Sequence, residues 1–330
     1  MKKFIIIITS IFSPSNGVKK FSEFEDYKLI IVADKKTPDD WYCKNVNFIS
    51  LSHQKEMEYE LAKVLPYNHY SRKMIGYLKA IQDGADFIID TDDDNIPKKN
   101  WEFPDFQGIY DCIDENLGFI NIYQLYTVQK IWPRGLPLNL ITSKYTLEKH
   151  IFPKECKIGV WQGLVDDTPD VDAIYRLTDD KPCYFIERNP IAIGKGTISP
   201  FNTQNTIIRK ELFPLLYLPA FVAFRFTDIL RGLIAQPIMW LYNYQLGFTN
   251  ATVVQKRNTH DYMKDFFSEF EMYMNTEKII YLVSNSISKS DGISINLYKA
   301  YSALFKAKIV CENEMKTLEL WLKDLERIKK

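Results

Sequence analysis

YNHYSRKMIGYLKAIQDGADFIIDTDDDN, residues 67–95, is the stretch on which the fold turns. Met74, Ile75, Tyr77, Leu78 and Ile81 recur at helical spacing between Tyr70 and Gln82, Asp83-Gly84 stops that helix, and Phe87-Ile88-Ile89-Asp90 reads as a buried strand. Upstream lie two more strands, FIIIIT (4–9), bounded by the loop Ser13-Pro14-Ser15-Asn16-Gly17, and YKLIIVAD (27–34). Strand, helix, strand implies an α/β fold with a mostly parallel central sheet buried on both faces by helices. Ligands of such sheets collect beyond the carboxyl ends of the strands, so Thr9, Ser10, Asp34 and the acids after Ile89 point to one crevice.

Farther along, GFINIYQLYTV (118–128) and PCYFIERNPIAI (182–193) read as strands and 226–246 as helical. The segment 262–330 holds helical patterns on either side of a possible strand, KIIYLVS (278–284), and ends in a Lys/Glu-rich amphipathic helix. It reads as a mainly helical extension, 263–330, added to a first domain of residues 1–262, the boundary falling near 262–275.

The chain has 330 residues with 42 Lys+Arg against 42 Asp+Glu, so no basic excess is available to hold a nucleic-acid backbone. Hydrophobic residues at 46% and charged residues at 25% describe a folded globular chain. Cys43, Cys112, Cys156, Cys183 and Cys311 are scattered and form no CxxC pair, which points to a reducing, cytoplasmic compartment instead of a disulfide framework or zinc cluster. The apolar start MKKFIIIITSIF is too short to span a bilayer, and Leu212–Phe224 is interrupted by Pro214 and Pro219, so a soluble protein without a transmembrane anchor is expected.

Asp90, Asp92, Asp93 and Asp94 crowd the end of the third strand, where their mutual repulsion is relieved by a divalent cation. Hard oxygen ligands at a sheet mouth suit Mg²⁺ or Mn²⁺ bridging a substrate diphosphate. An EF-hand is excluded, since glycine at the sixth loop position and glutamate at the twelfth are missing. A solvated acidic turn is the plainer alternative. The first strand is followed by neither Gly-x-Gly-x-x-Gly nor a Walker loop, so any phosphate is held by other means.

Residues 67–95, together with GLVDDTPDVDAIYRLT (163–178), SPFNTQNT (199–206), FRFTDILRGLIAQ (224–236) and VVQKRNTH (253–260), resemble the successive motifs of the STELLO-like glycosyltransferases. That family is distantly related to the reversibly glycosylated proteins and UDP-arabinopyranose mutases. The likeness runs from about residue 3 to 262 and leaves the C-terminal extension uncovered. It implies a GT-A fold, a nucleoside diphosphate sugar donor, UDP-linked, and a metal-dependent, inverting transfer to an acceptor hydroxyl, possibly on a glycan. A nucleotide-sugar mutase or self-glycosylating protein is the first alternative, and a noncatalytic carbohydrate-binding protein the second.

Candidate residues follow from both lines. Asp92 and Asp94, with His260, are the candidate metal ligands. Thr9, Ser10, Asp34, Arg72, Lys73, Asp90, Asp92, Asp93 and Arg257 are the candidate donor-binding set. Asp34 suits a uracil or ribose, or equally a turn cap. Arg72-Lys73 offers a planar fork and a point charge for phosphates, or an exposed cationic helix face, and the resemblance favours the ligand. Asp170 and Asp172, on one face if extended, and the amides Asn202, Gln204 and Asn205 are candidates for sugar or acceptor hydroxyls, or else tie loops. Asp228 follows Thr227 at a helix start, where it either caps the helix or serves as general base, with Arg231 one turn on to orient it or to neutralise phosphate.

Overall fold

A computed structural model describes residues 2–143, 146–256 and 261–328. The run Phe4–Ser10 forms β1, and its alternate isoleucines serve two cores. Ile5 and Ile7 face one cluster with Met74, Ile75 and Leu78, whereas Ile6 and Ile8 face another with Val18, Phe21 and Trp101. An apolar residue at every position is what a strand covered on both faces requires.

After β1 come α1 (Asn16–Phe21), capped by Ser15, β2 (Tyr27–Ala33), β3 (Val46–Ile49) and the short helices α2 (Leu51–Glu56) and α3 (Glu60–Val64). The helix expected over 70–82 is α4 (Lys73–Gln82), preceded by a 3₁₀ turn, and it leads into β4 (Phe87–Thr91). Then follow β5 (Asn95–Pro97), β6 (Gln107–Ile113), β7 (Gly118–Phe119), the long β8 (Phe152–Asp167), α5 (Ala173–Thr178), β9 (Ile191–Ile193), β10 (Thr197–Ile198) and β11 (Asn205–Arg209). The chain closes with α6 (Thr227–Leu241), β12 (Gln245–Gln255), α7 (Tyr262–Ser286), α8 (Ile293–Lys306) and α9 (Glu312–Ile328).

Among the described residues the main sheet runs β3-β2-β1-β4-β11-β8-β6-β9-β12-β5, with β8 also paired to β12. It is mixed, which corrects the mostly parallel expectation. β1 lies parallel to β2 and β4, but β11 is antiparallel to both β4 and β8. The physical reason is the approach of residues 199–204 over the carboxyl end of β4. From there β11 can only run back down the sheet, and Asn205 pairs with Thr91 at that end.

Three other expectations change. Of 118–128 only Gly118–Phe119 is strand, because Asn121 accepts from the Tyr123 N–H and turns the chain into a 3₁₀ helix. Of 182–193 only Ile191–Ile193, beyond Pro190, forms a strand, and Cys183 adds a single bridge to Asp167. The supposed strand 278–284 lies within α7, whose Met272, Thr276, Ile279 and Val283 form a buried stripe at helical spacing that overrides β-branched propensity. Two buried carboxylates key the final helices to the body. Asp324 of α9 caps α3 by accepting from the Glu60 and Leu61 N–H groups at 3.2 and 2.9 Å, and Glu314 accepts from those of Ala220 and Phe221. No described helix is long and apolar enough to cross a membrane.

Candidate active site

Beyond the carboxyl ends of β1, β2 and β4, the loop before β11, the end of β12 and the start of α6 enclose a cavity of about 340 Å³. Thr9, Ser10, Asp34, Asp92, Asp93, Asp94, Asp170, Gln204 and Asp228, far apart in the sequence, all line it.

Its acidic side rests on a buried ionic base. Lys73, in the first turn of α4, is wholly buried and donates to Asp90 Oδ1 at 2.8 Å, the Thr91 carbonyl at 2.9 Å and Asp92 Oδ1 at 3.1 Å. Asp90 Oδ2 accepts from Arg231 Nη1 at 2.9 Å and from the Tyr77 hydroxyl. These charges compensate one another, as buried charges must. Burial disfavours the Lys73 ammonium, yet Asp90 and Asp92 outweigh it and raise its pKa. Asp90 and Arg231 therefore lie beneath the cavity and outside its lining.

The loop above this base is acidic. Burial pushes Asp92 up to about 7 against the pull of Lys73, and repulsion from Asp94 and Asp90 adds to the rise. Asp93 is raised by burial too, while Ser10 donates to its carboxylate. Asp94 Oδ1 accepts from Gln255 Nε2 at 3.0 Å. Among the described residues no three acid, His or Cys side chains converge as a ready-made metal cage. A hard divalent cation needs less than that, since Mg²⁺ typically takes one or two carboxylates and completes its shell with water and phosphate oxygens. Asp92 and Asp94, both in the cavity wall, fit that demand.

Across the cavity, Asp228 lies in the first turn of α6, but the helix has no side-chain cap and the carboxylate is turned to the cavity. Arg134 Nη2 donates to both its oxygens at 3.0 Å, the Tyr70 hydroxyl to Oδ1 at 3.2 Å and the Thr203 N–H to Oδ2 at 3.3 Å. Arg134 also grips Asp170 in a two-point pair at 2.8 and 2.7 Å. Its turn is held by Gly135 at φ +93°, where a Cβ would run into Ile229 of α6. Orientation of Asp228 thus falls to Arg134, and Arg231 turns to Asp90 and the Asn202 carbonyl instead.

Several candidates are placed away from the cavity. Arg72 is buried, bonded to Gln54 and the Leu65 carbonyl and set over the Tyr67 ring at 4.4 Å. The extended pairing expected of Asp170 and Asp172 does not form, because Asp172 caps α5 through the Tyr175 N–H at 2.9 Å and accepts from Trp132 Nε1 at 2.7 Å. Asn202 ties its own loop through the Gln204 N–H, and Asn205 bonds Thr252 and Trp101. Gln204 spans Thr168 and Gln255 at the cavity edge, whereas Asp34 accepts from the Lys35 and His69 N–H groups. Arg257 and His260 lie outside the described residues.

Arg134, Thr203, Lys36 and the aromatic wall of His69, Tyr70 and Phe224 also line the cavity and escaped the sequence reading. Tyr70 and Phe224 each stand inside a quoted motif, which is the signal that could have found them. Arg134, in Pro133-Arg134-Gly135, carries no periodicity to mark it.

A family model described as STELLO glycosyltransferases matches residues 225–329. Two curated proteins of Arabidopsis thaliana, "Probable glycosyltransferase STELLO1" and "Probable glycosyltransferase STELLO2", are 26% and 27% identical over 98% and 97% of this chain. The chain spans 44% of the length of each. The resemblance read from the motifs therefore holds along nearly the whole chain and takes in the C-terminal helices that the motif reading left out.

Proposed function

We propose that this chain, similar from end to end to the STELLO glycosyltransferases, adopts a GT-A arrangement over residues 1–262 and transfers a sugar from a nucleoside diphosphate donor, UDP-linked, to an acceptor hydroxyl with inversion. The observation that carries the reading is the meeting of two carboxylate groups in one cavity, Asp92 to Asp94 on the sheet side and Asp228 on the helix side. In the first group burial pushes Asp92 up to about 7, and Asp228 across from it is paired with Arg134.

Asp92 and Asp94 would hold Mn²⁺ or Mg²⁺, which supplies charge neutralisation for a departing diphosphate. Lys73 keeps Asp92 in place from below, and Lys36 adds an exposed cation to the cavity wall. Asp228, fixed by Arg134, Tyr70 and Thr203, accepts the acceptor hydroxyl proton as that oxygen attacks the anomeric carbon from the face opposite the leaving group. The aromatic wall beside it keeps that side of the cavity partly apolar. The free cysteines support a reducing, cytoplasmic setting.

The test is a thermal-shift screen of nucleotide sugars with and without Mn²⁺, because a ligand that binds only the folded state raises the melting temperature. A UDP-sugar that stabilises the chain only with the cation supports the reading. Binding without transfer across a broad acceptor panel would turn it toward a noncatalytic carbohydrate-binding protein, and ring isomerisation of the donor without acceptor toward a mutase.

A further inference from the structure

Helix α7 has two apolar faces, and among the described residues only one is covered. Met272, Ile279 and Val283 are buried, while Met263, Phe267, Phe270 and Met274 stand 62, 84, 55 and 67% exposed on the other face. Their intervals of four, three and four residues make a coiled-coil seam, and the order Met-Phe-Phe-Met reads the same in both directions. A seam with that symmetry is complementary to itself under a two-fold axis, the property an isologous interface needs.

We propose that this face docks on the same face of a second copy, the two α7 helices running antiparallel with the axis between residues 268 and 269. Phe267 of one copy then meets Phe270 of the other, and Met263 meets Met274. Charge fits the same register. Lys264 and Glu271 occupy equivalent flanking positions one heptad apart, and the axis brings Lys264 of one copy to within about 3 Å, along the helix, of Glu271 of the other at 1.5 Å rise per residue. Both are exposed, and among the described residues Lys264 pairs with its near neighbour Asp261, at 3.3 Å. At 150–250 Å² per large side chain, scaled by these exposures, the four apolar residues offer roughly 500 Å² per copy. With their flanks they approach the roughly 800 Å² per partner of a standard interface, so the dimer is a reversible one.

Sedimentation equilibrium of the full chain over about 1 to 200 µM should show the mass rising from 38.8 kDa toward twice that value, with a dissociation constant in the micromolar range. Phe267→Glu should weaken association at least about tenfold with the melting temperature held, as hot-spot loss at an exposed position requires. Lys264→Glu and Glu271→Lys should each weaken it, and the double exchange should restore it, a rescue that general damage to the fold does not give. A monomer at every concentration overturns the proposal. So does a dimer indifferent to Phe267→Glu, or a monomeric chain that floats with phosphatidylcholine vesicles through this face.

Discussion

Asp228 and Asp92 face one cavity under different constraints, so their amide variants should fail differently. In Asp228→Asn, Arg134 keeps its two-point pair with Asp170 and the amide oxygen can still accept from Tyr70, but the proton acceptor is gone. Turnover should fall by about 10² to 10⁴, the usual size of general-base catalysis, with donor affinity and melting temperature near wild type. Donor affinity falling in step with turnover would move Asp228 to the donor side. Asp92→Asn and Asp94→Asn should leave the fold intact and weaken donor binding only where it depends on the cation. Titrations with Mn²⁺ check this, and an unchanged dependence in both variants rejects the metal assignment. These acids were legible because each ends or begins an element whose pattern is plain. Arg134 was not, since its partners Asp170 and Asp228 lie 36 and 94 residues away and only the folded chain brings them together.

At the scale of elements, α1 positions the acidic loop. Ser15 caps the helix by accepting from the Val18 N–H at 3.0 Å and donates to the Asp93 carbonyl. Gly17 lets the helix press on that loop, for a Cβ there would fall 2.9 Å from the Asp93 carbonyl oxygen and closer still to that of Asn95. Neither obstacle is a side chain that can swing away. Gly17→Ala should therefore cost about 1–3 kcal/mol, the range for overpacking, and should weaken cation-dependent donor binding although residue 17 touches no ligand. Urea unfolding and donor titration on one preparation check both, and wild-type values in both would show that α1 does not brace the loop. The break after β1 is readable in the sequence, although helix α1 begins within the expected loop at Asn16, but its target is not, because the contact joins segments about 80 residues apart. The misreading of 278–284 has the opposite cause. Lys278-Ile279-Ile280-Tyr281 looks like a strand over four residues, and only the buried stripe from Met272 to Val283 shows the helical period.

Across the whole molecule, the parallel half of the sheet, β3-β2-β1-β4, is written in local apolar runs, whereas the mixed half depends on β11 entering antiparallel between β4 and β8, a choice of neighbour that no local pattern encodes. The same long-range packing sets two opposed titrations. Burial pushes His69 down from 6.5 to about 4 against the pull of Asp34, and burial pushes Asp172 up from 3.8 to about 6 against its bonds to Trp132 and Tyr175. For His69 the unfolded chain binds the extra proton between about pH 4 and 6.5, so its contribution to stability is present above 6.5 and is lost as pH falls through that window. For Asp172 the folded chain holds the extra proton between 3.8 and about 6, so its contribution is present below 3.8 and is lost as pH rises through 6. At 1.36 kcal/mol per unit each effect is on the order of 3 kcal/mol, and over their shared window the two nearly cancel. Single variants should expose them. The stability of His69→Gln relative to wild type should fall as pH rises from 4 to 6.5, and that of Asp172→Asn relative to wild type should rise from 4 to 6. Urea unfolding at half-unit pH steps measures both slopes. Profiles parallel to wild type for either variant would mean that its side chain meets water in the folded chain as freely as in the unfolded one.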